Sequence, residues 1–328
     1  MTTLWDTTGR EVIKALGEAR RTAGGMISGL ALTLVVVADE KKVSEAEIAA
    51  GRAASAHPCR VLIVVRRQID APQPRLDAEI SVGGRLGPGE AVVMRMYGRL
   101  ALHAESVVLP LLAPDAPVVT WWHGGVAPDV LAEDALSVLA ARRITDAAYA
   151  EDPRARLQQR ADDYHPGDTD LTWTRTTPWR ALLAASFDDL AAAPRSAAVK
   201  AEAGNASADL LAGWLRTRLD VPVERAESPG PGITEVEVQL AGTDPLRIDR
   251  PDGYVATVCG AGLAERKLPL KRRDLGDLIA EELRRLDADQ PYAEALSALT
   301  GVGSLNDREP LREHVWRDPM AETGPVPA

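Results

Sequence analysis

The first half of the chain alternates short apolar runs with amphipathic stretches. Leu30–Val37 and Arg60–Val65 are nearly continuous apolar runs, typical of strands buried on both faces of a sheet. Between them, Ser44–Glu47 fits a capping box that opens a helix ending near Ala56. The pattern predicts a β-α-β unit with parallel strands and a right-handed crossover.

More strands follow along the first half. Leu76–Val82 and Ala91–Tyr97 are joined by a glycine-rich turn and predict a hairpin. Pro117–Trp122 predicts another strand, and Arg143–Ala147 the last one. Strands that alternate with helices are typical of a three-layer α/β domain with a mostly parallel sheet. Residues 150–190 are predicted to be a mainly helical extension of this domain.

The second half changes to alternating apolar and polar residues, which indicates an antiparallel sheet with one solvated face. The segments with this pattern are Val221–Ala226, Thr234–Leu240, Leu246–Arg250 and Tyr254–Cys259. Leu268–Leu270 predicts an edge strand, and apolar spacing from Leu275 predicts a final helix. Together these elements predict a smaller α+β domain.

We therefore predict two domains and a tail, as the length of 328 residues suggests. Residues 1–193 form the N-terminal α/β domain with its helical extension, and residues 194–300 form the C-terminal α+β domain. Residues 301–328 contain few apolar residues and several prolines, so we expect a flexible tail.

Composition narrows the classes of function. The chain has 38 basic and 48 acidic residues, a net charge of −10, so nucleic acid and anionic membranes are poor partners. Met1–Arg10 has no secretory pattern, and the longest apolar stretch is about half of a membrane helix. Two cysteines are too few for a disulfide scaffold or a zinc site. We expect a cytoplasmic protein.

The sequence predicts no nucleotide cofactor. A dinucleotide fingerprint needs glycines that let the backbone approach a pyrophosphate after the first strand. Here Ala38–Lys42 follows that strand, without a glycine and with two carboxylates. No Walker loop is present either.

Candidate catalytic or metal-binding groups have simpler structural explanations. His57 and Cys59 could form a nucleophilic pair, but Pro58 between them suits a helix-to-strand turn with a packed cysteine. Asp168 and Asp170 could hold a metal, but capping and Asx-turns are commoner uses of such residues. The remaining histidines, which show no metal-like spacing, are His103, His123, His165 and His314. We predict neither catalytic residues nor a metal site.

Tryptophan and arginine stand out instead. The chain has seven Trp and one Phe, although its composition also suggests a GC-rich genome, which favours Trp codons over Phe codons. Trp and Arg are common at binding hot spots. The residues predicted to bind a partner are Trp121, Trp122, Trp173, Arg175, Trp179 and Arg180. Alternatively, the tryptophans lock the helical segment onto the sheet, with arginines stacked on them.

Many separate segments in one order also resemble a known family, the assembly proteins of glucose-6-phosphate dehydrogenase called OpcA, in their actinobacterial branch. These segments are Leu32–Val37, His57–Arg60, Leu76–Ile80, Pro117–Trp122, Arg143–Asp146, Gly167–Leu171, Thr177–Arg180, Ser207–Leu215 and Gly230–Thr234. The similarity extends over roughly residues 4–296, and so over both predicted domains.

The resemblance implies a non-catalytic protein that binds glucose-6-phosphate dehydrogenase in the oxidative pentose phosphate pathway. It would favour the active oligomer and act as an allosteric activator. Cyanobacterial relatives imply redox control through cysteines, for which Cys59 and Cys259 are the candidates here, although they form no closely spaced pair.

One alternative remains open from the residues themselves. The β-α-β unit could form an arginine-lined cleft that senses a sugar phosphate or NADP, or that is the active site of an uncharacterised enzyme. The arginines that could hold phosphate there are Arg60, Arg142, Arg143, Arg175 and Arg180.

Overall fold

The chain folds around two β-sheets. The structure is a computed structural model that describes residues 1–22, 29–83, 89–188 and 192–316. The first part contains β1 (Thr2–Leu4), α1 (Gly9–Thr22), β2 (Leu32–Ala38), α2 (Val43–Ala56), β3 (Cys59–Arg67), β4 (Arg75–Val82), β5 (Glu90–Tyr97), α3 (Arg99–Leu102), α4 (Glu105–Val108), β6 (Val118–His123), α5 (Ala135–Val138), β7 (Arg142–Thr145), α6 (Pro153–Asp162) and β8 (Asp168–Asp170). The second part contains α7 (Leu171–Thr174), α8 (Thr177–Phe187), β9 (Pro194–Ala201), α9 (Ala206–Leu219), β10 (Val223–Glu227), β11 (Ile233–Leu240), β12 (Leu246–Asp249), β13 (Val255–Gly260), β14 (Leu263–Pro269), α10 (Leu275–Arg284) and α11 (Gln290–Thr300).

The first sheet confirms the predicted mostly parallel α/β fold. Among the described residues its strand order is β1-β4-β5-β3-β2-β6-β7-β8. β2 pairs in parallel with β3 on one side and with β6 on the other, so the winding reverses between β2 and β6. The predicted β-α-β unit corresponds to β2, α2 and β3, and the predicted hairpin to β4 and β5.

The second sheet has the order β10-β9-β11-β12-β13-β14 in the described residues. Its alternating residues bury one face against α8 and α9, as Val236, Val238 and Ile248 show, while Glu235, Glu237 and Arg247 point to the other face. One prediction needs correction, because β10 pairs in parallel with β9 and the sheet is therefore mixed. The reason is that α9 carries the chain from the end of β9 back to its start, as in a crossover connection.

Several elements escaped the sequence patterns. Arg143–Ala147 was expected to end the first sheet, but β8 lies beyond it and pairs with β7. β8 consists of three polar residues, which are too few to show periodicity. β1 is equally short, and α11 follows the helix that was predicted to be the last.

The two parts exchange helices across the predicted boundary at residue 193/194. Trp179 and Leu183 of α8 lie in the core of the second sheet. In return, Leu278 and Ile279 of α10 pack with α2 on the first sheet. Arg52 of α2 adds ion pairs to the start of α10. The two sheets are thus joined through their own covering helices.

Residues 301–316 run back along the first part of the chain. Leu305 is buried, and Arg312 is 5% exposed and pairs with Asp163 and Asp168. The ring of Trp316 stacks on His103 with centroids 4.8 Å apart. This part of the expected flexible tail is therefore anchored by buried ion pairs, and residues 317–328 lie outside the described residues. No helix in the described residues is long and apolar enough to cross a membrane.

Candidate functional site at the strand ends and the sheet junction

The carboxyl ends of β2 and β6 form the position where open α/β sheets usually bind ligands. Here the chain fills that crevice with its own side chains. Gly124 follows β6 with φ +81°, and a Cβ at this position would lie 3.1 Å from Cγ of Lys42. The ammonium of Lys42 lies 5.3 Å from the ring centroid of Tyr149. Lys42 therefore packs over the glycine turn.

His123 ends β6 beneath these side chains and is fully buried. Its ring lies 4.8 Å from that of Trp121, and its Nε2 lies 3.5 Å from a carboxylate oxygen of Glu45. Neither ring nitrogen has a hydrogen-bond partner within the described part of the chain. Burial lowers the pKa of His123 below its usual value, Lys42 lowers it further, and Glu45 opposes the shift.

Because the imidazole of His123 is buried, we expect the folded chain to lose stability in mild acid. The folded chain holds His123 neutral below the unfolded pKa of about 6.5, so the unfolded chain binds the proton first as pH falls. This contribution to stability is present above pH 6.5 and is lost as pH falls below it. NMR titration should show the His123 ring signal, assigned with His123→Gln, titrating below pH 6.5. A midpoint at or above that value would contradict the prediction.

The four tryptophans predicted to bind a partner lie in the interior. Trp121, Trp122, Trp173 and Trp179 are between 0% and 2% exposed. The indole of Trp122 donates to Asp134 at 3.1 Å, and that of Trp173 donates to Asp289 at 2.8 Å. In this conformation they offer no surface to a partner. Their contacts instead match the alternative, in which they hold the helical segment onto the sheets.

The two arginines of the same segment also make internal contacts. The Arg180 guanidinium lies 3.6 Å from the ring centroid of Trp173 and donates to the hydroxyls of Thr176 and Thr177. Burial lowers the pKa of Arg180 to about 10. Arg175 instead forms a two-pronged ion pair with Asp146, at 2.7 and 2.6 Å.

Three further arginines proposed for a phosphate-binding cleft at the β-α-β unit are paired with carboxylates. Arg60 is bound to Glu90, and Arg143 to Asp168. Arg142 of β7 donates to Glu282 of α10 at 2.9 Å. These pairs are buried, and each guanidinium already has its carboxylate. These three guanidinium charges are therefore already matched by carboxylates within the fold.

A cavity lined by basic side chains, called the cationic cavity, lies where α8, α9 and the segment before α10 meet. Its volume is about 90 Å³. The wall residues are Arg175, Pro178, Trp179, Asn205, Ser207, Gly232, Ile233, Arg250, Leu270, Lys271, Arg272, Arg273 and Leu278. Sequence reasoning missed Arg250, Lys271 and Arg272. Arg250 lies at the end of a predicted strand, and nothing in the local pattern shows which strand ends converge.

The two cysteines lie on different sheets, and the acidic pair Asp168 and Asp170 makes internal contacts. Cys59 is fully buried in the first sheet, and burial raises the pKa of its thiol to about 12. Cys259 is half-buried on β13 of the second sheet, and both thiols are free. Asp168 pairs with Arg143 and Arg312, while Asp170 caps α7. Within the described ranges, no group of three acidic, His or Cys side chains is arranged to hold a metal ion.

Comparison with known families gives two adjoining matches. Residues 50–162 match the glucose-6-phosphate dehydrogenase subunit N-terminal domain, and residues 166–296 match the corresponding C-terminal domain. The chain is 27% identical over 220 residues to the putative OxPP cycle protein OpcA of Synechococcus elongatus, covering 64% of this chain and 46% of that protein. It is 26% identical over 217 residues to the protein of the same description from Synechocystis sp., covering 58% of this chain and 45% of that protein. The matched part thus spans less than half the length of these curated relatives.

Solved structures are similar only at a distance. A 3-ketoreductase from Actinomadura kijaniata, KijD10, aligns with a TM-score of 0.45 at 12% identity, covering 84% of this chain and 97% of that chain. A dehydrogenase (MviM) from Clostridium difficile aligns with a TM-score of 0.44 at 7% identity, covering 84% of this chain and 98% of that chain.

Proposed function

Because the chain belongs to the OpcA family of glucose-6-phosphate dehydrogenase subunit proteins, we propose that it is a non-catalytic partner of that dehydrogenase. It binds the dehydrogenase and favours its active oligomer in the oxidative pentose phosphate pathway. The observation that carries the proposal is the pair of domain matches, which together extend from residue 50 to residue 296 and include strands of both sheets.

The filled crevice between β2 and β6 supports a role without catalysis. Lys42 and Tyr149 pack together beside the glycine turn after β6, and the imidazole of His123 below them is fully buried. A general acid or base must reach its substrate within hydrogen-bonding distance. His123, the strongest acid-base candidate there, has no such access in this conformation.

Activation requires that the chain bind one state of the dehydrogenase more tightly than another. A tenfold preference for the active oligomer corresponds to about 1.4 kcal/mol, within the usual range of allosteric coupling. For the contact surface we propose the open face of the second sheet, defined by Lys200, Glu235, Glu237, Arg247 and Thr257. It is a broad strand surface that α8 and α9 leave uncovered, whereas the four tryptophans predicted to bind a partner are buried.

Titration of the chain into glucose-6-phosphate dehydrogenase tests the proposed function. We expect a complex in size-exclusion chromatography, a shift toward the larger oligomer, and activity that rises to a plateau at a fixed stoichiometry. The chain alone should reduce no NADP. Unchanged activity together with no complex at micromolar concentrations would rule the function out.

Two matched variants test the contact surface. Thr257→Arg places a bulky cation on the open face, and Ala203→Arg places the same side chain on an exposed turn between β9 and α9. We expect Thr257→Arg to weaken the complex by about tenfold or more, as interface substitutions can, while Ala203→Arg leaves it unchanged. Equal binding by both variants would show that the contact lies on another surface. The proposed function would still stand.

A further inference from the structure

The cationic cavity is unusual in a chain with a net charge of −10. Among the described residues, five basic side chains and no carboxylate line it. Arg175 and Arg273 have carboxylate partners outside the wall, in Asp146 and Glu281. The other three basic residues, Arg250, Lys271 and Arg272, form no ion pair with any described residue.

Arg250 forms the buried floor of the cavity and is 4% exposed. Its two terminal nitrogens donate to the carbonyl oxygens of Leu270 at 2.8 Å and Ile233 at 2.7 Å. A guanidinium has five N–H donors, and Nε of Arg250 has no partner in the described structure. The Trp179 ring lies 4.9 Å from the guanidinium carbon, and the charge of nearby Asp252 favours the charged form of Arg250 without forming an ion pair with it. A buried charge normally requires a direct counter-charge, which an anion in the cavity would supply. Burial together with nearby Arg272 lowers the pKa of Arg250 to about 10.

The amino terminus of α9 adds to the positive field. Asn205 caps this helix of 14 residues, and both Asn205 and Ser207 line the cavity. The first backbone N–H groups of a helix lack partners within it and favour anions. Lys271 and Arg272 are exposed at the mouth, where they can attract an anion from solvent.

Acidic groups in this region are already engaged. Glu202 accepts a hydrogen bond from the Asn205 amide at 3.1 Å. Asp252 accepts the backbone N–H groups of Tyr254 at 2.8 Å and Val255 at 3.0 Å. Neither carboxylate forms an ion pair with Arg250.

Size and donor number select the class of ligand. The volume of about 90 Å³ suits one small tetrahedral anion, with the rest of a larger molecule outside the mouth. A carboxylate has two oxygens in one plane. A phosphate has oxygens in a tetrahedral arrangement, which can contact a buried arginine, two exposed cations and a helix terminus at the same time. We propose that this cavity binds the phosphate group of a small phosphorylated metabolite.

Calorimetry and thermal denaturation of the full chain test the site without the dehydrogenase. The probes are sodium phosphate, sodium chloride at equal ionic strength, glucose 6-phosphate and glucose. We expect Tm to rise with phosphate and with glucose 6-phosphate but not with chloride or glucose. Tighter binding of glucose 6-phosphate would identify a metabolite as the ligand, and equal binding would show that the phosphate group alone is recognised. Equal responses to phosphate and chloride would overturn the proposal.

Two double variants locate the site. Lys271→Ala with Arg272→Ala removes two exposed cations at the mouth, so the fold should survive. Arg266→Ala with Lys267→Ala removes two exposed cations from β14, outside the wall. We expect the first pair to weaken phosphate binding by about tenfold or more and the second to leave it nearly unchanged. Equal losses in both pairs would mean that net charge, and not this cavity, attracts the anion, and would overturn the site.

Discussion

Replacing Glu282 with glutamine is expected to lower the free energy of unfolding by about 3–5 kcal/mol, because it leaves a buried arginine without its counter-charge. Glu282 is 4% exposed and Arg142 is 3% exposed. One carboxylate oxygen accepts from Arg142 at 2.9 Å, and the other accepts from the hydroxyl of Thr174 at 2.6 Å. Glu282 thus links α10, β7 and α7.

The adjacent residue provides a matched control. Glu281 pairs with Arg273, but these side chains are 20% and 22% exposed, so water can replace part of the interaction. Glu281→Gln should therefore cost much less, about 1 kcal/mol. Urea denaturation of both variants measures the difference. A loss at Glu282 no larger than that at Glu281 would contradict a structural role for the buried pair.

A second substitution of Glu282 separates charge from packing. Combining Glu282→Leu with Arg142→Met removes both charges, and hydrophobic replacement of a whole buried pair is often nearly neutral. We expect this double variant to recover most of the stability that Glu282→Gln loses. Recovery would show that the unpaired Arg142 causes the loss.

Replacing Gly213 with alanine is expected to destabilise the chain by about 1–3 kcal/mol through overpacking. Gly213 lies in α9 where it crosses α11. A Cβ at this position would lie 2.4 Å from the carbonyl oxygen of Ala295, a backbone atom that cannot rotate away. The two helices must separate, which loosens the contacts of Leu210 and Tyr292 in the same cluster.

The sign of the stability change distinguishes Gly213 from a glycine in an ordinary helix. In an ordinary helix interior, alanine is more stable than glycine by roughly 0.5–1 kcal/mol. Gly17 in α1 offers that ordinary case, since a Cβ there would lie 3.8 Å from a flexible Arg21 side chain. Gly17→Ala should raise Tm and Gly213→Ala should lower it. Two changes of the same sign would show that the α9–α11 contact does not constrain Gly213.

The hydrophobic pattern by itself determined most of the two sheets. Continuous apolar runs predicted the buried parallel strands β2 and β3, because both faces of these strands are covered by helices. Alternation predicted the strands of the second sheet, because one face packs on α8 and α9 while the other stays open. Both signals are local, since burial of one or two faces repeats along the strand itself.

Only the tertiary structure decided which polar and aromatic groups are buried, and against what. The pairing of Arg142 with Glu282 joins residues 140 positions apart, and no local pattern encodes it. The same holds for Trp173, whose indole donates to Asp289, 116 positions away. Arg250 lies at the end of a predicted strand, but its cavity exists only where α8 and α9 converge. Local periodicity specifies the elements, whereas the environment of a charge depends on which distant elements pack around it.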